Sequence, residues 1–594
     1  DRDNVSYHMQ QKVLSSTSDP KMYLEFLRPV IEMIQRSRNH PSILTWMIAD
    51  ESAFTPNFNR VLQCVRELDS TRPVHFAWNV TDENYFDIAS YHYPDYDDLQ
   101  NLSKSKRPVI FDQFAHIYRN RFVLEIDPGI RNQWAYSFVP FWEKIWSTPS
   151  IWGGQVFNFT DDIFLMPSGE KLGYGSWGII DLWRRPKPEY WHLKKAYSPV
   201  KIINENIPLK MPVKNEPVKV NIENRYDFTN LNETDVYWNI NGRGGVINPD
   251  IEPQSKGIMT FFPDVDIVPG DTLKLEFLRN GMMVDKYNLI IGERNRKEKV
   301  IKPSGKVKLE ENVNEYLISG SKYLMTVNKK TGEININSCK GKEIISSGPE
   351  LMILEDKNEI HSSGYPWPKP DVPPLEELNE RCKNWQLTEI TASSKKDGAK
   401  IIIEGRYEEA TGQFILVFGD NGVLNIEYSF VTNKDMHPRQ IGIVLFTPRK
   451  FDELSWERNS MWSSYPDNHI GRPKGTVKPY RPSYMPDVLR RTEPPWPWEM
   501  DSNKMGTNDF RATRTNIIKA SLLDSEGSGI TVNSDGSQQI RAFIHDKETG
   551  IIISDFYIPG LGSFMGEELR LQEFSDILPS GSIVKGLIKL SLKK

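Results

Sequence analysis

The first 198 residues alternate short apolar runs with amphipathic segments, and this alternation limits the possible folds more than any other feature. Strand–helix–strand repeats with almost continuously apolar strands are typical of a parallel sheet that is covered by helices. The apolar runs that predict strands are SILTWMIAD (42–50), PVHFAWN (73–79), DIASYHYP (87–94), PVIFDQFA (108–115) and IWGGQVFNF (151–159). Each run ends in polar or aromatic residues, and in a β/α barrel the carboxyl ends of the strands form the functional face.

Two of the segments beside these runs predict helices. YLEFLRPVIEMIQRSRNHP is amphipathic and ends at Pro41. In NFNRVLQCVRELDSTRP the apolar side chains fall on one stripe with a period of 3.6 residues. That stripe consists of Phe58, Val61, Leu62, Val65 and Leu68.

A closed barrel of this kind has eight strands, whereas only five runs are visible. The residues before the first predicted helix are too few to hold three more strand–helix units. We therefore expect the chain to begin inside a barrel, with the first three strands upstream.

From about residue 200 onward the pattern changes to alternation with frequent turns, which predicts antiparallel β-sandwiches. A break near 295–310 divides this part of the chain. The predicted domains are therefore residues 1–198, the second half of the barrel, residues 199–300, a sandwich, and residues 301–594, a large β-domain. The Pro-rich segments 362–374 and 491–500 contain Trp and are expected to pack on a surface rather than hang free.

The composition excludes several classes of protein. A net charge of −5 over 594 residues, without a basic run, argues against a nucleic-acid-binding protein. No apolar stretch approaches the roughly 20 residues that span a bilayer. Three scattered cysteines (Cys64, Cys339 and Cys382) are too few for a disulfide framework or a zinc site, so we expect free and mostly buried thiols.

The ends of two predicted strands offer candidate acids. Asp50 and Glu51 follow the first strand, and the fourth strand ends in Asp112 and Gln113. Hydrolysis of a glycosidic bond needs two carboxyl groups, one to protonate the departing oxygen and one to attack the anomeric carbon or activate water. The strand alone does not decide whether Asp50 or Glu51 is such a carboxyl group or merely caps the following turn.

Several motifs resemble glycoside hydrolase family 2. RNHPSILTWMIADES is similar to the family's Arg-Asn-His-Pro-Ser…Trp…Asn-Glu block, and RPVIFDQFAH resembles its nucleophile strand. IWGGQVFNFTDD is similar to the last barrel strand of the family's β-galactosidases. The resemblance continues through IENRYDFTNLNETDVYW and TVNKKTGEI into the C-terminal half. It implies a multidomain fold, in which a partial (β/α)8 TIM barrel precedes an Ig-like β-sandwich and a large C-terminal β-sandwich domain.

The resemblance also implies roles for single residues. Glu51 matches the family's general acid/base, and Gln113 stands where the family has its nucleophilic glutamate. Asp50 replaces an asparagine that binds the sugar 2-hydroxyl. The other positions implied to contact the sugar or the nucleophile, or to line the mouth of the barrel, are Tyr93, His116, Trp152, Asn158 and Trp177.

Two departures from the family leave alternatives open. Gln113 cannot form a glycosyl ester and carries no charge, so it indicates a deliberate Glu→Gln change, a natural binding protein, or chemistry moved to Asp112. On a regular strand Asp112 points away from the face of Gln113. Asp50 beside Glu51 either raises one of the two carboxyl pKa values by repulsion or turns away to bind another group.

The implied activity is an exo-acting, retaining β-glycosidase that removes a β-linked sugar from an oligo- or polysaccharide and is impaired by Gln113. The alternative is a carbohydrate-binding pseudoenzyme with the same pocket. No cofactor or metal is expected from this chain, because the family's divalent cation uses upstream residues. Expected partners are the saccharide, the upstream N-terminal domains of the same protein and a second copy in a homo-oligomer, without nucleic acid. A periplasmic or secreted location is favoured over a cytoplasmic one.

Overall fold

The fold is given by a computed structural model of the 594-residue chain. The structure describes residues 14–77, 85–94, 96–115, 124, 126–168, 171–204, 206–214, 216–293, 302–355, 379–485, 492–559 and 577–593. Segment 362–374, one of the two Pro-rich loops, lies outside these residues.

The first 200 residues contain the alternating strands and helices that the sequence predicts. The helices are α1 (Tyr23–Ser37), α2 (Pro56–Leu68), α3 (Tyr96–Leu102), α4 (Gly129–Trp146) and α5 (Pro188–Ala196). The strands are β1 (Trp46–Met47), β2 (Val74–His75), β3 (Ala89–His92), β4 (Val109–Phe114), β5 (Ile151–Val156), β6 (Asp162–Leu165) and β7 (Lys171–Gly175). All five predicted strands are confirmed, although β1 and β2 are only two residues long.

The first five strands pair in parallel, as predicted. β1 pairs with β2, and β3, β4 and β5 form a separate three-stranded sheet. The two sheets are joined around Val74, whose N–H donates to Asp87 Oδ2 and whose carbonyl accepts from the N–H of Asp87. The carboxyl ends of the strands therefore lie on one side of this segment.

The predicted helical stripe is confirmed in α2. Phe58, Val61, Leu62 and Val65 are buried, and they pack with Trp46 and Ile48 of the first strand region. Burying four large apolar side chains contributes several kcal/mol, at about 1.5–3 kcal/mol each. This packing holds β1 against the helical layer.

Residues 200–291 form two facing sheets around one apolar core, and their strands are antiparallel except that β9 pairs with β17 in parallel. One sheet has the order β14–β11–β8, and the other has the order β13–β12–β16–β17–β9. The strands are β8 (Val200–Ile202), β9 (Asn206–Ile207), β10 (Val213–Lys214), β11 (Val218–Asn224), β12 (Asp235–Ile240), β13 (Arg243–Ile247), β14 (Ser255–Phe261), β15 (Asp266–Ile267), β16 (Thr272–Arg279) and β17 (Met282–Ile291). A sandwich is thus present, while its Ig-like topology and the domain boundaries stay predictions.

The C-terminal region is antiparallel, as predicted, and is built on a five-stranded and a twelve-stranded sheet. The five-stranded sheet contains β18 (Lys308–Glu311), β19 (Glu315–Ser319), β20 (Tyr323–Asn328), β21 (Ile334–Ser338) and β22 (Glu343–Ile345). The larger sheet contains β23 (Ser347–Glu355), β24 (Gln386–Lys395), β25 (Gly398–Arg406), β26 (Ala410–Phe418), β27 (Val423–Thr432), β28 (Pro438–Pro448), β29 (Glu453–Arg458), β30 (Lys474–Val477), β33 (Arg514–Leu523), β34 (Gly529–His545), β35 (Glu548–Tyr557) and β36 (Ile583–Lys593). A short insertion holds β31 (Ser502–Asn503), β32 (Gly506–Thr507) and α6 (Asn508–Arg511).

The barrel segment packs directly on this large sheet. One apolar cluster joins Trp134 and Phe138 of α4 to Phe446 and Ile552 of the twelve-stranded sheet. Trp496, in the second Pro-rich loop, is buried, and its carbonyl accepts from Arg185 Nη1. That loop therefore packs against the barrel segment, as expected.

The cysteines are free, as predicted, although only Cys382 is buried, Cys64 is half-buried and Cys339 is exposed. Within the described residues, no helix is long and apolar enough to cross a membrane.

Candidate functional site

The ends of β1, β3 and β4 bring together both predicted catalytic residues and two of the residues predicted to contact the sugar or position the nucleophile. Asp50 and Glu51 follow β1, His92 and Tyr93 end β3, and Gln113 lies near the end of β4. His92 and Gln113 are register partners, and the N–H of Tyr93 donates to the carbonyl of Gln113 at 2.8 Å. We call the group formed by Asp50, Glu51, His92, Tyr93, Asp112 and Gln113 the strand-tip site.

The backbone is unusual at all three strand ends. Glu51, Tyr93 and Ala115 have φ values of 42°, 45° and 59°, in the left-handed region that non-glycine residues rarely adopt. Each such residue costs on the order of 1–2 kcal/mol. Conformations of this kind persist where surrounding contacts enforce them, and they concentrate at functional sites. Their coincidence at three neighbouring strand ends supports a functional role for this face.

His92 connects the acids of two strands. Its Nδ1 lies 2.8 Å from Asp112 Oδ1, and its Nε2 lies 3.3 Å from Asp50 Oδ1 and 3.9 Å from Glu51 Oε1. The imidazole is almost fully buried, whereas the Asp50 and Glu51 side chains are half exposed. Asp50 therefore turns toward His92, and His92 lies in the same site as Glu51.

These contacts give the acids of the site different proton affinities. Burial alone would lower the pKa of His92, but hydrogen bonds with Asp112 and Asp50 outweigh it and raise the pKa to about 9. The hydrogen bond with His92 lowers the pKa of Asp50. Burial, followed by repulsion from Asp50, raises the pKa of Glu51. Glu51 thus retains a proton better than Asp50 does, as a general acid must.

Gln113 and Asp112 point to different partners. The amide Nε2 of Gln113 donates to the Tyr93 hydroxyl at 2.5 Å. The pairing of β3 with β4 is irregular between Tyr91 and His92, so a bulge of the kind needed to redirect Asp112 is present. Asp112 is nevertheless buried, and it accepts from Ser90 Oγ while it holds His92. This engagement argues against Asp112 as a substitute nucleophile.

A second polar group follows β5. Asn158 Nδ2 donates to Asp162 Oδ1 at 2.8 Å, and Trp177 Nε1 donates to Asp162 Oδ2 at 3.0 Å. The N–H of Phe157 donates to the carbonyl of Phe114, which places this group beside the end of β4. Asn158 and Trp177 are therefore brought together, next to the strand carrying Gln113.

Trp152 is not brought to the same place. It is the second residue of β5, where the strand runs beside Val109 and Ile110 at the start of β4. At about 3.3 Å per residue, Trp152 lies roughly 10 Å along the strand from the level of Gln113. Its side chain is 63% exposed. His116 lies outside the described residues.

Sequence reasoning missed His92, the partnership of Asp112 with it, and Asp162. His92 directly precedes Tyr93 at a predicted strand end, so its position was a usable signal. Its pairing with Asp112 depends on the strand register, which the pattern of apolar residues does not encode. Among the described residues, no group of three or more His, Cys, Asp and Glu side chains is arranged to hold a metal ion.

Comparisons with known proteins place the similarity mainly in the same barrel segment. Residues 2–202 match the family model described as "Glycosyl hydrolases family 2, TIM barrel domain". A β-galactosidase of Priestia megaterium is 22% identical over 507 residues, which cover 75% of this chain and 45% of that protein. A β-galactosidase of Leuconostoc mesenteroides is 26% identical over 192 residues, which cover 30% of this chain and 17% of that protein. The chain thus spans less than half the length of these curated relatives.

A solved Bacteroides uniformis β-glucuronidase aligns with 97% of this chain and 57% of its own, at 14% identity and a TM-score of 0.25. At this TM-score and identity, the structural similarity supports no argument about this protein. The barrel match and the β-galactosidase relatives both support a relationship to this family. Residues 2–202 of this chain are thus similar to the TIM barrel domain of glycoside hydrolase family 2.

Proposed function

We propose that the strand-tip site holds the acid/base residue and the nucleophile position of a sugar-binding pocket. The pocket would be that of an exo-acting, retaining β-glycosidase of the β-galactosidase type. In this proposal Glu51 protonates the departing glycosidic oxygen and later activates water, as a retaining mechanism requires. The observation that carries the proposal is the convergence of Glu51 and Gln113 on His92 and Tyr93, the last residue of β3 and the residue that follows it.

His92 and Tyr93 serve as positioning residues in this proposal. His92, held by Asp112, keeps the Asp50 and Glu51 carboxyl groups at the mouth of the site. The Tyr93 hydroxyl lies against the side chain at position 113, where it would donate a hydrogen bond to a carboxylate. Asn158, Asp162 and Trp177 supply polar and aromatic surface beside them.

Gln113 is the reason for expecting weak turnover. An amide has nearly the shape of a carboxylate, so it preserves the pocket, but it can neither form a covalent glycosyl intermediate nor stabilise positive charge at the anomeric carbon. The pocket therefore favours binding over hydrolysis. A carbohydrate-binding protein that uses this pocket is accordingly the second candidate function.

The test is Gln113→Glu in the full-length protein, assayed with a panel of aryl β-glycosides. We expect a gain of at least about 10³-fold in kcat/KM on one sugar, since a missing nucleophile removes a whole catalytic step. The matched control is the double variant Gln113→Glu/Glu51→Gln, which should lose that gain on substrates with poor leaving groups.

The two candidate functions give different results. An unchanged rate in Gln113→Glu, together with saturable binding of a β-linked disaccharide by calorimetry, would favour the binding protein. Neither hydrolysis nor binding would contradict the proposed pocket altogether.

A further inference from the structure

A second buried site lies where three other parts of the chain meet. It lies between α5, strand β17 and the C-terminal segment 459–476, and we call this contact the junction. Lys195 of α5 pairs with Asp285 of β17, and Asn288 of β17 donates from its backbone N–H and side chain to Ser463. A cleft of about 1710 Å³ opens beside the junction.

Arg458, the last residue of β29, forms part of the cleft wall. It is only 3% exposed, yet none of its three guanidinium nitrogens has a hydrogen-bond or ion-pair partner among the residues the structure describes. Burying a charged group without a partner is strongly unfavourable. An uncompensated buried guanidinium therefore indicates a binding site for a negatively charged group.

His192 of α5 presents a second unused donor. Its Nδ1 accepts a hydrogen bond from Trp462 Nε1 at 3.0 Å, so the proton of the neutral imidazole is on Nε2. His192 is fully buried, and its Nε2 has no partner within the described part of the chain. The positive charge of Arg458 helps to lower the pKa of His192, after burial and the nearby His469, so the two side chains lie within electrostatic range.

The neighbouring groups do not supply the missing negative charge. Arg472 and Arg514 both pair with Asp509, so that one carboxylate already serves two guanidinium groups. Burial raises the pKa of Glu499 to about 8, which keeps it largely neutral at pH 7. The described residues of the cleft wall also carry more basic than acidic side chains: Lys210, Lys274, Arg458, Arg472 and Lys474 against Glu293, Glu457 and Asp467.

We propose that the junction is a binding site for a small inorganic anion, a halide or an oxyanion such as phosphate, held by the Arg458 guanidinium and the Nε2–H of His192. Two buried donors of this kind, one of them charged, suit an anion better than a water molecule, because water leaves the charge uncompensated. The anion would join α5 of the barrel to the large β-sheet. This inference is independent of the sugar pocket.

The test measures the thermal denaturation midpoint of the full-length protein in sodium chloride, sodium phosphate and sodium gluconate at constant ionic strength. A ligand that binds only the folded state stabilises it in proportion to the logarithm of its concentration. We expect the midpoint to rise by about 2 °C or more between 1 and 100 mM of the preferred small anion. Gluconate, which is too large for the site, should give no such rise.

Two variants make the test specific. Arg458→Met should abolish the response, and at low anion concentration it should melt higher than the wild type because it removes an unpaired buried charge. Lys274→Met, which removes an exposed cation of the same cleft, should respond as the wild type does. An unresponsive wild type, or an equal response in Arg458→Met, would overturn the proposal.

Crystals of the wild-type protein soaked in sodium bromide or sodium phosphate give an answer that does not depend on whether Arg458→Met folds. We expect an anomalous bromide peak, or phosphate density, within hydrogen-bond distance of both Arg458 and His192 Nε2. Only water at that position in both soaks would contradict the site.

Discussion

The strand-tip site and the junction each bury a histidine, and the two imidazoles meet opposite surroundings. His92 lies between the carboxylates of Asp112 and Asp50, and its pKa rises to about 9. His192 meets an indole N–H, a second histidine and the unpaired Arg458, and its pKa falls well below 6.5, chiefly through burial. The same side chain is thus a cation in one place and a neutral donor in the other.

This contrast separates a compensated charge from an uncompensated one. In the strand-tip site, positive and negative groups are arranged in advance of any ligand, which suits a site that must control where a proton resides. In the junction the described donors exceed the acceptors, which suits a site completed by an anion. Buried polar groups that lack hydrogen-bond partners indicate the kind of ligand that would complete a site.

Asp112→Asn should have the largest effect on the strand-tip site, because it removes the buried charge that holds His92. Without that carboxylate, the pKa of His92 should fall well below 9, since burial lowers it. We expect a loss of about 3 kcal/mol at pH 7, in the range for breaking a buried ion pair. The measurements are the NMR titration of His92 and the denaturation midpoint.

The matched control for that variant is Asp162→Asn, because Asp162 contacts only the neutral groups of Asn158 and Trp177 in the described part of the chain. It should leave the titration of His92 unchanged. A pKa of His92 that remained near 9 in Asp112→Asn would show that Asp112 is not its main stabilising partner.

These residues also show how far the sequence could predict the molecule. The stripe of Phe58, Val61 and Leu62 placed α2 correctly, because a helix that buries one face must repeat its apolar residues every 3.6 positions. The polar ends of the apolar runs placed Glu51 and Gln113 on one face for a similar reason. The strands and helices of the first 200 residues, and the position of these two side chains at strand ends, therefore follow from local patterns.

The remaining features depend on register and on contacts between distant segments. The pairing of His92 with Asp112 requires the irregular β3–β4 register, and the position of Trp152 at the start of β5 could not be predicted because a motif match gives no depth along a strand. The junction joins His192 to residues some 270 positions later in the chain, such as Trp462. No local pattern encodes such a contact.

The pH dependence of stability should distinguish the two histidines, and His92→Gln with His192→Gln is a matched pair for this test. The folded-state pKa of His92 lies above its ordinary value of 6.5, so its contribution is complete below pH 6.5 and is lost as the pH rises through about 9. The change from 6.5 to 9 corresponds to about 3 kcal/mol. The deficit of His92→Gln should therefore be largest at pH 6 and small above pH 9.

His192→Gln should show the opposite slope. The folded-state pKa of His192 is depressed, so its contribution is present above pH 6.5 and declines as the pH falls below that value. We expect a constant deficit of about 1 kcal/mol between pH 7 and 9, the usual value for one neutral hydrogen bond. Denaturation midpoints from pH 5 to 10 supply both profiles, and parallel profiles for the two variants would refute the assigned charge states.

Asp50→Asn should have the smallest effect on stability, because its side chain is half exposed and solvent screens its contact with His92. We expect a loss below about 1 kcal/mol.

The informative change is in Glu51, whose pKa is raised first by burial and second by the charge of Asp50. Removing that charge should lower the pKa of Glu51 only in part, since burial remains. In the Gln113→Glu background this would move the alkaline limb of the kcat/KM profile to lower pH. A full return of Glu51 to the ordinary pKa of an exposed glutamate would mean that the neighbouring charge, rather than burial, keeps this carboxyl protonated.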